Sequence, residues 1–183
     1  MRLFIASDIH GSAAAAETLV EHIEAFKPEH ILLLGDVLYH GPRNGLPTSY
    51  DPKAVIAALN PLASRIVAVR GNCDAEVDQM VLDFDCMQSW RALDADGMRF
   101  VMTHGHLYEP DCLPPDCEKG DVLLSGHTHI KQLKRSDSGL ICLNPGSPTF
   151  PKDGSASYAT YCDGIFRLHT LNGEMVSELA AEI

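Results

Sequence analysis

Five short apolar runs in this chain each stop at a cluster of Asp, His or Asn beside a glycine, and few architectures can use that pattern five times. Phe4-Ile5-Ala6-Ser7 runs into Asp8-Ile9-His10-Gly11, Ile31-Leu32-Leu33-Leu34 into Gly35-Asp36, and Ile66-Val67-Ala68-Val69 into Arg70-Gly71-Asn72. Phe100-Val101-Met102-Thr103 runs into His104-Gly105-His106, and Val122-Leu123-Leu124-Ser125 into Gly126-His127-Thr128-His129. Runs this short and apolar on both faces read as buried strands. In open α/β sheets ligands bind outside the carboxyl ends of the strands, so polar residues at five strand ends can converge on one crevice. Glycines 11, 35, 71, 105 and 126 are expected to supply the tight turns that aim them.

The segments between the first three runs are helical in character. Ser12 suits an N-cap, Ala13 to Ala16 are strong helix formers, Leu19, Ile23 and Phe26 recur at helical spacing, and Pro52 fits the first turn of a second helix. A βαβαβ opening follows, with a layered, largely parallel sheet. From Phe84 onward, Asp96-Gly97, Asp137-Ser138-Gly139, Asp163-Gly164 and Asn172-Gly173 punctuate short strands as hairpin turns do. The expectation is a largely antiparallel second sheet packed on the first, within one domain spanning residues 1–183. Two long proline-bearing loops, 35–51 and 105–120, are candidates for function.

The donor types narrow the chemistry. Asp8, Asp36, His10, His104, His127, His129 and Asn72 offer oxygen and imidazole ligands with no obligatory thiolate, a set suited to Mn, Fe, Zn or Co. One ion does not need seven ligands. Two ions about 3.5–4 Å apart with a bridging carboxylate do, and that is the arrangement of two-metal phosphoester chemistry. Singly, an aspartate after a strand is more often a turn former and a histidine more often a satisfied polar residue. Their joint placement at successive strand ends is what outweighs that reading.

Charge points the same way. With 14 Lys and Arg against 25 Asp and Glu, the formal charge is −11, which repels duplex nucleic acid and leaves bound metal as the source of positive charge for a phosphate substrate. No apolar run approaches the roughly 18–20 residues of a membrane span, and neither a membrane helix nor a signal peptide is expected. The six cysteines show no CxxC pair, so reduced thiols in a cytoplasmic protein are the expectation.

The blocks D-x-H, G-D, G-N-[H/C]-[D/E], H and G-H-x-H, here 8–10, 35–36, 71–74, 104 and 126–129, together with Asn144-Pro145-Gly146-Ser147, resemble those of the calcineurin-like metallophosphoesterases across essentially the whole chain. The resemblance implies an α/β fold, a four-layer αββα sandwich of two mixed sheets. It implies one metal held by Asp8, His10, Asp36 and His129 and a second by Asp36, Asn72, His104 and His127, with Asp36 bridging. The expected cofactors are two divalent ions, Mn2+ first and Zn2+, Fe2+, Co2+ or Ni2+ as alternatives. The expected reaction is hydrolysis of small phosphodiesters by metal-activated hydroxide. Asp36, Asn72, His104 and Cys73 are the candidates for direct roles in it.

Cys73 departs from the histidine that many members carry after Gly-Asn. Three roles fit it: packing beside the site, weak contact with substrate, or adventitious metal binding and oxidation. A thiol is a poor acid for a high-pKa alkoxide, so leaving groups of low pKa are favoured, with His106 and Asp74 the nearest alternatives for proton transfer or support. Arg43 is placed to touch a phosphate and Arg70 to pair with an acidic neighbour, while His40 stays open. Competing functions are a phosphomonoesterase on the same site and a non-catalytic protein-interaction scaffold, which loss of a metal ligand would favour. Edge strands near the carboxyl terminus offer a route to a homo-oligomer, dimer or tetramer.

Overall fold

The run Arg2–Ala6 forms β1, buried along four of its five residues, and pairs in parallel with β2 (His30–Leu33), which pairs in parallel with β3 (Ile66–Ala68). The computed structural model describes residues 1–115 and 117–181. Between β1 and β2 runs α1 (Ala13–Phe26), started by Ser12, whose Oγ accepts from the Ala15 amide. Between β2 and β3 runs α2 (Pro52–Leu59), started by Asp51 accepting from the Ala54 amide and continued by a 3-10 turn, Asn60–Arg65. Both helices lay their apolar stripes, Leu19 and Ile23 on one and Val55 and Leu59 on the other, against Phe4, Ile31 and Leu33. The opposite face of the same strands, Leu3, Ile5, Leu32 and Leu34, meets the second sheet. Strands covered on both sides have no polar face to spare, which is why they read as continuous apolar runs.

The second half departs from the largely antiparallel second sheet that its turn signals suggest and gives the mixed sheets that the family resemblance implies. The hairpin β4 (Trp90–Ala95) and β5 (Met98–Thr103) joins β6 (Val122–Leu124), β7 (Lys131–Arg135) and β8 (Ile141–Pro145) in the order β4-β5-β6-β8-β7, with β5, β6 and β8 mutually parallel. The last three strands, β9 (Ser157–Cys162), β10 (Ile165–Thr170) and β11 (Met175–Ala180), return to the first sheet, β9 lying antiparallel to β1, in the order β11-β10-β9-β1-β2-β3. All four turn signals fall between strands as expected. A turn signal fixes the pairing of neighbours but not the sheet they join. Burial settles that here, since Ala159, Tyr161, Phe166 and Leu168 fill the space between the sheets against Phe100, Val122 and Leu143.

Two mixed sheets packed face to face are therefore the frame. The layer outside the second sheet carries no helix among the described residues; Val101, Leu123 and Cys142 are covered by Leu140, Trp90 and Cys117. That apolar patch ends at β7, which turns the polar Gln132 and Lys134 to the same side as Cys142. A short helix, α3 (Glu76–Gln79), follows the Gly71-Asn72-Cys73-Asp74 block. Among the described residues no helix is long and apolar enough to cross a membrane, and all six cysteines are free.

Candidate metal centre

The carboxyl ends of β1, β2, β3, β5 and β6 face one crevice, and the backbone there is bent in a way the sequence does not announce. Asp8, His10, Asp36, His127 and His129 all hold positive φ, between 50° and 66°. They are five of the eight non-glycine residues with that geometry among the described residues. A left-handed L-residue costs roughly 1–2 kcal/mol, and such residues cluster where function over-determines the backbone. The candidate ligands thus make their own turns. Gly71 and Gly126 serve a different end from the turning role expected of them, because neither has positive φ and each leaves room for a neighbour. A Cβ on Gly126 would lie 1.9 Å from Ser7 Oγ, and one on Gly71 would lie 2.1 Å from Asp36 Oδ1.

The side chains meet as follows. Asp8 Oδ1 lies 3.1 Å from His129 Nε2, 3.6 Å from His10 Nε2 and 4.0 Å from His104 Nε2. Asp36 Oδ2 lies 3.5 Å from His104 Nε2 and 3.7 Å from His10 Nε2. The other oxygens are committed elsewhere: Asp8 Oδ2 accepts from Ser7 Oγ and the His127 amide, and Asp36 Oδ1 from the Cys73 amide. Asp8 Oδ1 is buried without any hydrogen-bond partner. Three imidazoles are oriented from behind. His10 Nδ1 donates to the Tyr39 carbonyl, His104 Nδ1 to that of Leu34 and His129 Nδ1 to that of Phe150, which turns every Nε2 toward the carboxylates.

These contacts fit a cation. His10 Nε2 and His129 Nε2 are 3.2 Å apart, and with both Nδ1 atoms donating, two facing lone pairs would repel unless positive charge lies between them. Adjacent ligands on an ion at about 2.2 Å in near-octahedral geometry sit about 3.1 Å apart. Two donor triads, Asp8 with His10 and His129, and Asp8 with Asp36 and His104, each have their ligand atoms within 4.8 Å of one another. Asn72 joins the second through its Oδ1, 3.1 Å from His104 Nε2. His127 stands apart from both triads: its ring packs edge-on against His104, centroids 5.1 Å apart, and lines the crevice. The Cys73 thiol forms a third group with His10 and Asp36.

Protons provide the positive charge in the metal-free cluster. Burial alone would raise the Asp8 carboxyl, yet the neighbouring His10, His129 and His104 imidazoles hold it far below the usual range, and His104 does the same for Asp36. Burial would lower His104, but the Asp36 contact and the charges of both carboxylates hold it up at about 9, and His10 is raised for similar reasons. His106 and His127 are lowered, by burial and by the neighbouring His104 cation. Burial and the Asp36 charge push the Cys73 thiol up to about 12, so it faces the crevice as a neutral SH group.

Behind the cluster stand residues that the sequence marked in other terms or left unmarked. Asp74 braces the site: its buried carboxyl accepts from the amides of Asp36, Val37 and Gly71, tying the second strand end to the third. Ser147 Oγ donates to the Asp8 carbonyl, and Asn144 Nδ2 to the Gly126 carbonyl, so the Asn-Pro-Gly-Ser turn braces two ligand loops. Arg70 pairs with Glu76 at 3.6 Å, as expected. Arg43 lines the crevice, a cavity of about 420 Å³, and so does Lys152, which sequence reading missed because the chain returns to the site only after β8. The carbonyls that orient the imidazoles carry no sequence signal, since any residue supplies one.

Residues 1–162 match the calcineurin-like phosphoesterase superfamily domain. The chain is 41% identical over 177 residues, 96% of its length and 95% of the other's, to phosphodiesterase YfcE of Escherichia coli strain K12. It superposes on the solved structure of the E. coli phosphoesterase YfcE with TM-score 0.95 at 40% identity, covering 100% of each chain. Zinc-bound Vps29 of Entamoeba histolytica aligns with TM-score 0.63 at 16% identity, covering 100% of each, a likeness of fold alone.

Proposed function

We propose that this chain, which belongs to the calcineurin-like phosphoesterase superfamily, hydrolyses small phosphodiesters with two divalent metal ions at the Asp8 and Asp36 cluster. The observation that carries the reading is Asp8 Oδ1, a buried carboxylate oxygen with no hydrogen-bond partner, ringed by three imidazole Nε2 atoms. Asp8, His10, Asp36 and His129 would hold one ion, and Asp36, Asn72, His104 and His127 the other. Such a pair supplies Lewis acidity toward phosphoryl oxygens and brings the pKa of water to near 7. The oxygen and imidazole donors suit Mn2+, with Zn2+, Fe2+, Co2+ and Ni2+ as substitutes.

The chain's own groups then have separable tasks. The Tyr39, Leu34 and Phe150 carbonyls keep the Nε2 atoms aimed inward, and Arg43 and Lys152 draw an anionic ester to the mouth of an otherwise acidic protein. Cys73 lines the crevice as a weak donor, so departing groups that need no proton, such as aryloxides, leave fastest. The relative named a phosphodiesterase supports diesters over monoesters as substrates, and the intact donor set favours an enzyme over a scaffold. Free cysteines support a reducing, cytoplasmic setting. The test is hydrolysis of bis-p-nitrophenyl phosphate and p-nitrophenyl phosphate side by side by chelator-stripped protein re-supplied with Mn2+. The reading predicts faster diester turnover; faster monoester turnover would make the protein a phosphatase.

A further inference from the structure

Next to the metal crevice lies a second cavity of about 370 Å³ with a different character. Tyr39, Tyr50, Ile56, Val77 and Val81 line it, and Cys73 is shared with the metal crevice. Its volume falls within the roughly 300–1,000 Å³ of small-molecule sites. Three of the ten exposed large apolar side chains among the described residues, Tyr39 at 41%, Val77 at 59% and Val81 at 41% exposed, line this one cleft. No lysine or arginine lines it, and its one charged residue is the carboxylate Asp78.

From this arrangement we propose that the cleft holds the ester arm of the substrate that is not displaced, and that this arm is an uncharged aromatic or other apolar group. The inference rests on the phosphodiester reading above. A phosphoryl group held at the Asp8 and Asp36 cluster has Cys73 at its side, and an arm passing over that small side chain enters the apolar cleft. A bulkier residue at position 73 would stand in the passage. Anionic arms are disfavoured, because Asp78 repels them and no cation lines the cleft to offset it. Arg43 and Lys152 line only the metal crevice, so the two cavities divide the substrate into a charged and an uncharged part.

Benzylphosphonate and methylphosphonate, which share the anionic head, test this by calorimetry on the Mn2+-loaded protein and by methyl resonances of Val77 and Val81. Burying a phenyl ring is expected to favour benzylphosphonate by roughly tenfold or more, to shift both valine signals, and to lose most of that preference in Val77→Asp and in Val81→Asp. Both positions are exposed, and thermal melts of the two variants confirm folding. Equal affinities, or a preference unchanged in both variants, would overturn the apolar subsite. Phenyl 4-nitrophenyl phosphate and methyl 4-nitrophenyl phosphate, with one leaving group between them, are then assayed on the same preparations. Preference for the phenyl diester supports the proposal. Turnover of neither, with the phosphonate preference intact, would overturn the diesterase reading and leave the apolar subsite standing.

Discussion

Asp74 is 4% exposed and its carboxylate is the acceptor for three backbone amides, at 2.7–2.9 Å, that shape the loops under Asp36 and Asn72. Each orphaned buried amide costs about 1–3 kcal/mol, so Asp74→Ala should lower stability by at least about 3 kcal/mol, visible in a thermal melt as a fall of roughly 10 °C. Cys73→His is expected to act on the substrate instead, through proton transfer as well as through the passage to the apolar cleft. Leaving groups are therefore compared on diesters that share one methyl arm. An imidazole at the crevice can protonate a departing alkoxide, so the variant should narrow the gap between p-nitrophenyl and alkyl leaving groups by roughly 10- to 100-fold; a gap of unchanged width would remove Cys73 from the account of leaving-group preference. At this scale the donors were legible, because Asp and His at strand ends are informative by type. Their supports were not: the Tyr39, Leu34 and Phe150 carbonyls have no identity to read, and Lys152 sits 23 positions beyond His129 yet lines the same crevice.

Among the elements, β1 and the Gly126 to His129 loop approach so closely that only hydrogen fits at position 126. Gly126→Ala would press a methyl into Ser7 Oγ and disturb the Ser7 to Asp8 hydrogen bond. Overpacking of this kind costs about 1–3 kcal/mol, and displacement of Asp8 should weaken Mn2+ binding about 10- to 100-fold, which a competition titration against a chelator measures. Unaltered affinity would mean the loop holds its place without that contact. The helices and hairpins were readable because capping, helical periodicity and Asx-Gly turns are local. The partition of strands between sheets was not, since β9 to β11 join the first sheet through Tyr161, Phe166 and Leu168 meeting partners far along the chain. The bends were placed only in part: Gly11, Gly35 and Gly105 do take positive φ, but Asp8, Asp36 and three histidines bear left-handed backbone beside them.

For the whole molecule, net charge of −11 and a buried pair of carboxylates make stability depend on what positive charge fills the centre. In metal-free protein that charge is protons. The folded pKa of His104, about 9, exceeds its unfolded value of 6.5, so its stabilisation is complete below pH 6.5 and lost as pH rises toward 9. Asp8 and Asp36 are depressed, so theirs is present above about pH 4 and lost on acidification. Chelated protein should therefore melt lower at pH 9 than at pH 6.5, while the gain in Tm from added Mn2+ grows over the same interval as the metal displaces protons. The most direct measurement of the central claim is a titration of chelator-stripped protein with Mn2+, following bis-p-nitrophenyl phosphate turnover per equivalent added. Two ions sharing Asp36 predict turnover that rises to a break at two equivalents per chain, with Asp36→Asn at least about 100-fold slower at every point. Full turnover without metal, or an Asp36→Asn variant as active as the parent, would contradict it.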